Sequence, residues 1–165
     1  MKKKVLIAYG SAAGSTGEVA ECVGEEMRKA GAQVDVQPVE AVKDASEYDA
    51  VVVGSAVRIG KLIRNTRRFL RRHRKTLRQV PVAYFVVCLT VKEKTPENIE
   101  KARGYANPML KVAEPVSLGL FGGCMDPEKL TGFFAMTMKE VPEEDHRDWD
   151  QIRTWAQQTL KKLFP

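Results

Sequence analysis

The sequence predicts a doubly wound α/β domain: a five-stranded parallel sheet in the order 2-1-3-4-5 with helices on both faces. Three observations carry that prediction. Short unbroken apolar runs recur at Val5–Tyr9, Ala50–Val53 and Val82–Leu89, as in strands that are buried on both faces. The segments between them place apolar residues at helical spacing. The whole chain, at 165 residues, has the length of one domain and can bury a single core without staples. Strands that alternate with helices need right-handed crossovers, which make the sheet parallel and cover it on both sides.

The elements follow in order. Val5–Tyr9 ends at Gly10 and is the first strand. Val19, Val23, Met27 and Ala30 form one helical stripe that stops at Gly31, a usual C-terminal signal. Val34-Asp-Val-Gln-Pro alternates as an edge strand does. Ala50–Val53, closed by Gly54, is the third strand. After Gly60, the residues Leu62, Ile63, Thr66, Phe69, Leu70, His73 and Leu77 lie on one stripe of a helix whose other faces are arginine. Val82–Leu89 is the central strand. Thr95-Pro96 reads as an N-cap followed by proline at the first helical position, and Ile99, Ala102, Ala106 and Leu110 continue that helix, which Asn107-Pro108 kinks or ends. Pro115–Phe121 supplies the fifth strand. Trp149, Ile152, Ala156, Leu160 and Leu163 give the last helix, with Asp148 and Gln151 spaced as a capping box.

Composition excludes several classes of function. No apolar run approaches the roughly 20 residues of a spanning helix. The start Met1-Lys2-Lys3-Lys4-Val5 resembles a signal n-region but reads as the approach to a strand. Cys22, Cys88 and Cys124 are odd in number and widely spaced, which disfavours a disulfide framework and a zinc site and fits a reducing cytoplasm. Neither His73 nor His146 has a companion at metal-ligand spacing, and no Ser/His/Asp or Cys/His set stands out, so hydrolysis is disfavoured. Net charge is +6, yet Arg58–Arg78 holds ten Lys/Arg and no acid while the remainder holds 17 basic and 21 acidic residues. An anionic partner would therefore meet this segment. Arg64, Arg67, Arg68, Arg71, Arg72 and Lys75 form the face on which an acidic redox protein, an anionic membrane surface or an acidic substrate is expected. Nucleic acid is not expected, because no aromatic residues are interleaved as a stacking platform. The location read from these features is cytoplasmic, free or peripheral to a membrane.

Ligands of doubly wound sheets sit beyond the carboxyl ends of the strands. There, Gly10-Ser-Ala-Ala-Gly-Ser-Thr16 joins the first strand to the first helix, whose opening turn offers unpaired N–H groups and a positive dipole end to a phosphate. Small residues let the backbone approach, and Ser11, Ser15 and Thr16 add hydroxyl donors. The loop lacks the Gly-Lys-Ser/Thr of a Walker A loop and the spacing of a dinucleotide fingerprint, which disfavours an ATPase and an NAD enzyme. The alternative is a loop whose Ser and Gly serve only turn and cap.

Tyr9-Gly-Ser-Ala-Ala-Gly-Ser-Thr16 resembles the S/T-x-x-G-x-T phosphate loop of flavodoxins. Tyr48-Asp-Ala-Val-Val-Val-Gly-Ser-Ala56 is similar to the third strand and second flavin loop of that superfamily, and Phe85-Val-Val-Cys-Leu-Thr90 holds the place of the third. Ser55-Ala-Val-Arg-Ile-Gly60, Phe69-Leu-Arg-Arg-His73, Thr95-Pro96 and Arg147-Asp-Trp149 resemble the flavodoxin-domain branch that includes menaquinone-dependent protoporphyrinogen oxidase. The resemblance spans nearly the whole chain and implies a flavodoxin-like fold with FMN as cofactor. It places the phosphate on Ser11, Ala12, Ala13, Gly14, Ser15 and Thr16. The isoalloxazine would then lie between Ser55, Ala56, Val57, Arg58, Ile59, Gly60 and the following Leu62 on one side and Leu89, Thr90 and Val91 on the other. Gly60 is the peptide expected to turn its carbonyl toward the flavin when N5 is protonated, or else merely the start of the next helix.

Neither ring loop contains a Trp or Tyr, and Ile59 and Leu62 are the nearest substitutes for a stacking residue. That absence implies either a weaker grip or an open face for a substrate or quinone. The connection 122–147 is far longer than the usual two to six residues, and Phe133, Phe134, Met136 and Met138 concentrate in it. It is shorter than in the oxidase, which weakens the case for porphyrinogen and quinone binding. Three functions follow: an FMN-binding electron-transfer protein or oxidoreductase, with a redox protein or quinone as partner; a protoporphyrinogen oxidase-like enzyme that passes electrons to a quinone; and a flavin-free module that docks through its arginine-rich helix.

Overall fold

The computed structural model describes residues 2–11, 14–125 and 144–165. Strands β1 (Lys4–Gly10), β2 (Gln33–Pro38), β3 (Ala50–Arg58), β4 (Lys61–Leu62), β5 (Val82–Cys88) and β6 (Leu118–Gly122) make one sheet. Five of them run parallel in the order β2-β1-β3-β5-β6. The short β4 pairs antiparallel with the end of β3, so the sheet has six strands where five in the order 2-1-3-4-5 were expected. The difference arises past Gly54. The apolar run stops there, but the backbone ladder continues, with Ser55 opposite Gly10 and Ala56 opposite Val87, until the chain folds back at Ile59.

Helices cover both faces. On one side α1 (Ser15–Lys29) and α6 (Trp149–Leu163) pack over Val5, Ile7, Val52 and Phe85; on the other, α2 (Arg64–Arg72), α3 (Arg74–Leu77), α4 (Pro96–Tyr105) and α5 (Asn107–Val112) pack over Leu6, Val51, Val53 and Tyr84. Leu6, Ile7, Met27, Leu70 and Ile152 are among the fully buried side chains, each worth about 1.5–3 kcal/mol of apolar burial. The helix expected after Gly60 is two helices that part at His73 (φ −103°, ψ 16°). Backbone bonds from His73 N to the Phe69 carbonyl (2.9 Å) and from Leu77 N to the His73 carbonyl (3.0 Å) carry the chain through this bend, and Phe69, Leu70 and Leu77 all reach the core.

The caps fall largely where the sequence puts them. Thr95 Oγ1 accepts from Asn98 N at 3.1 Å, and Asp148 Oδ1 accepts from Gln151 N at 3.1 Å. Gln151 turns its own amide oxygen to Lys94 Nζ, 3.2 Å away, so Asp148 makes a single cap. At Asn107-Pro108 the chain stops one helix at Tyr105 and begins another. Beyond β6, strands β7 (Cys124–Met125) and β8 (Glu144–Asp145) form a two-stranded antiparallel ribbon at the base of the long connection. Phe133, Phe134, Met136 and Met138 lie outside the described residues. Among the described residues no helix is long and apolar enough to cross a membrane.

Candidate functional site

Because β1, β3 and β5 are neighbours in register, the three segments that follow them meet at one edge of the sheet. At the first, Gly14 adopts a left-handed conformation (φ 87°), which costs a glycine little, and its N–H donates to Ser11 Oγ at 2.8 Å. Among the described residues no side chain caps α1. Thr16 in its first turn is fully buried, and its hydroxyl has no hydrogen-bond partner among the described residues. A buried hydroxyl normally finds a partner, and a helix start with unpaired N–H groups could hold an anionic acceptor beside it. Ser15 is half-buried. Ala12 and Ala13 lie outside the described residues.

The second segment is a hairpin. Arg58 pairs with Lys61 and Val57 with Leu62, which leaves Ile59 (φ 52°) and Gly60 (φ 69°) as the two-residue turn. Positive φ at both central positions is the type I′ geometry, which Asn-Gly fills best. Here isoleucine holds the first position and is 90% exposed. Gly60 is thus the second residue of the turn and does not begin the next helix. Below the hairpin, buried Ser55 has its Oγ 2.8 Å from both the Ala56 carbonyl oxygen and Thr66 Oγ1. A Cβ on Gly10 would strike that same Thr66 hydroxyl. The starts of the first and second segments are therefore fixed to α2. Arg58 is exposed, and Ala56 and Val57 are half-buried.

The third segment, Leu89–Lys92, is a 3-10 turn with Val91 buried and Leu89 and Thr90 half-buried. Thr90 Oγ1 lies 3.2 Å from Tyr105 Oη, and Tyr105 Cε1 is 3.8 Å from where a Cβ on Gly60 would stand. Tyr105, from the end of α4, thus bridges the second and third segments. It is an aromatic residue that the loops themselves lack, and sequence reasoning missed it. Its only signal is a tyrosine closing the stripe of α4. Cys88, just before the turn, is buried and its thiol is held above the ordinary range by desolvation, which suits an inert thiol.

Arg147 brings in a fourth element. Its guanidinium forks onto Asp145 (3.0 and 2.8 Å), pairs with Glu18 in the first turn of α1 and lies over the Trp149 ring at 4.8 Å. Its side chain is only 8% exposed. The hydrogen bonds from Arg147 hold the Asp145 carboxyl at about 2. Glu18 is the acid nearest the helix start in sequence, and its pairing with Arg147 offsets charge that would oppose an anion there.

A parallel sheet in the order β2-β1-β3-β5-β6, with helices on both faces and three loops gathered at the carboxyl ends of β1, β3 and β5, is the architecture of the flavodoxin class. The pattern of the Flavodoxin domain family matches residues 6–151, and the chain belongs to that family. Membership places it among the flavodoxin-like oxidoreductases. The protein "Protoporphyrinogen IX dehydrogenase [quinone]" of Escherichia coli (strain K12) is 26% identical over 173 residues, covering 94% of this chain and 93% of its own length. Among solved structures, an archaeal flavodoxin matches with TM-score 0.61 at 20% identity over 97% of this chain and 98% of its own. A Fusobacterium nucleatum flavodoxin variant bound to flavin mononucleotide matches with TM-score 0.63 at 10% identity, covering 99% and 98%. These two similarities show the fold.

Proposed function

We propose that the chain is a single working unit, residues 1–165 with 122–147 as an extended connection, that holds FMN at the carboxyl ends of β1, β3 and β5 and reduces a quinone. Ser11, Ala12, Ala13, Gly14, Ser15 and Thr16 take the phosphate through amides and hydroxyls. Ser55, Ala56, Val57, Arg58, Ile59 and Gly60, with Leu89, Thr90 and Val91, flank the ring, and Tyr105 braces both flanks. When bound, the isoalloxazine supplies the electron chemistry; the protein supplies position and electrostatics. The observation that carries this reading is the buried, unpartnered Thr16 hydroxyl at the uncapped start of α1. A relative with quinone in its name, aligned over 94% of the chain, favours a quinone acceptor and makes a protoporphyrinogen-type donor the first substrate to assay.

The test is FMN titration of the apoprotein, followed by flavin fluorescence. Wild type should turn yellow on loading. Thr16→Val keeps the shape and removes only the hydroxyl, so FMN should bind about 10–100-fold more weakly, the worth of a hydrogen bond to a charged group, with the melting temperature unchanged or raised. Gly14→Asp places a carboxylate against the phosphate and should abolish binding. Wild-type affinity in both variants overturns the placement. Wild-type protein that refuses FMN yet captures acidic proteins in low salt would instead be the flavin-free docking module.

A further inference from the structure

The chain from Ala50 to Lys92 contains no acidic residue. On α2 and α3 the side chains of Arg64, Arg68, Arg71, Arg72, Arg74 and Lys75 are exposed, and none of them makes an ion pair among the described residues. The opposite stripe, Thr66, Phe69, Leu70, His73 and Leu77, is buried in the core, so the cations stand on an outward face about 20 Å long. Two carboxylates border it. Glu40 accepts from Asn65 Nδ2 at 2.6 Å, and Asp44 acts on His73 from the side. Across the sheet, α1 carries Glu18, Glu21, Glu25 and Glu26 along a cleft beside Gly14 and Arg153. The molecule is therefore charge-polarised, its basic side being the layer of α2–α5.

The hairpin of β3 and β4 leans toward that same layer, with Gly60 against Tyr105, and only Ile63 separates it from the first turn of α2. At its apex Ile59 is the exposed large hydrophobic residue of the described chain, 90% accessible. We propose that the guanidinium face of α2 and α3, with Ile59 at its edge, is a docking surface for an anionic phospholipid bilayer. A protein interface gathers its apolar anchors at the centre and fills pockets with them; here the centre is wholly cationic and the one apolar side chain stands at the rim. A polybasic array joined to a small apolar anchor is the two-signal pattern of reversible lipid attachment. Planar guanidinium groups suit lipid phosphate oxygens. The orientation brings the candidate flavin edge to the lipid surface, where an apolar quinone dissolves. That last consequence rests on the quinone reading, whereas the docking itself does not.

Flotation of the full chain with phosphatidylcholine vesicles, with and without about 30% phosphatidylglycerol, tests the surface at about 0.05 M and about 0.5 M salt. At low salt at least about tenfold more protein should float with the anionic vesicles than with the neutral ones, and high salt should release it. The exposed quadruple variant R64Q/R68Q/R71Q/K75Q should lose at least about tenfold of that binding with an unchanged melting temperature. K2Q/K3Q/K161Q/K162Q removes the same net charge elsewhere and should stay within about twofold of wild type. Ile59→Asn should bind anionic vesicles a few-fold less. Equal binding to neutral vesicles, equal losses in the two quadruple variants, or wild type that ignores anionic vesicles but binds poly-glutamate would each overturn the proposal. Flavin content is read separately by absorbance, so failure of the FMN site and failure of the docking face register in different signals.

Discussion

At the scale of single residues the site holds two features that cost stability. Thr16 buries a hydroxyl with no partner among the described residues, and Ile59 puts a β-branched side chain at φ 52°, where such residues are genuine outliers. Strain of this kind persists only where the surroundings impose it, and it collects at functional positions. Here the imposing element is the Arg58–Lys61 pair, which closes the hairpin over two residues. Asparagine tolerates this region, so Ile59→Asn should raise the unfolding free energy of the apoprotein by about 1 kcal/mol, measured by urea denaturation. A midpoint that fails to rise would mean that the turn stores no strain.

At the scale of elements, Arg147 ties β8 to the first turn of α1 through Asp145 and Glu18. Arg147→Met keeps much of the packing on Trp149 and removes the charge. Both carboxylate side chains are close to half exposed, at 46% and 47%, so the loss should be about 1–2 kcal/mol rather than the 3–5 of a fully buried pair. On the FMN reading, affinity should fall as well, because Glu18 then faces the proposed phosphate loop uncompensated; an unchanged affinity would separate Glu18 from the cofactor. His73 adds a pH dependence. Burial against Phe69, then the charge of Arg72, push its pKa below 6.5, so below pH 6.5 the unfolded chain takes up a proton that the folded chain resists. Stability should therefore decline as pH falls from 7 toward 5, and thermal melts of His73→Leu should show a shallower decline. The Asp145 contribution, with a folded pKa of about 2 against 3.8, stays intact above pH 4 and is lost only in stronger acid. The sequence reveals these elements unequally. The turn between β1 and α1 was legible as a turn because glycine, small residues and hydroxyls gather within six positions where the apolar run stops. The β4 hairpin was not, since isoleucine stands where a type I′ turn favours asparagine and two paired residues leave no periodicity. Tyr105 was hidden by distance, as it reaches Thr90 and Gly60 from a helix end rather than from a loop. The break at His73 leaves no mark in the sequence, because the apolar stripe runs through it without a change of spacing.

At the scale of the whole molecule, charge rather than shape distinguishes the two sides of the sheet. A net +6 concentrated around α2 and α3 creates a field over the neighbouring carboxyl edge, while the acids of α1 lie across the sheet. Such a field raises the local concentration of anions and is screened by salt. On the FMN reading, the anaerobically reduced flavoprotein should therefore be oxidised by ferricyanide, a trianion, at a rate that falls roughly tenfold as salt rises from about 0.02 to about 0.3 M. A neutral water-soluble quinone should react at a rate nearly independent of salt, and the R64Q/R68Q/R71Q/K75Q variant should flatten the ferricyanide response without changing the quinone rate. Stopped-flow traces of flavin absorbance give both rates. If the ferricyanide rate is flat or rises with salt, electrons leave by a route outside the basic field.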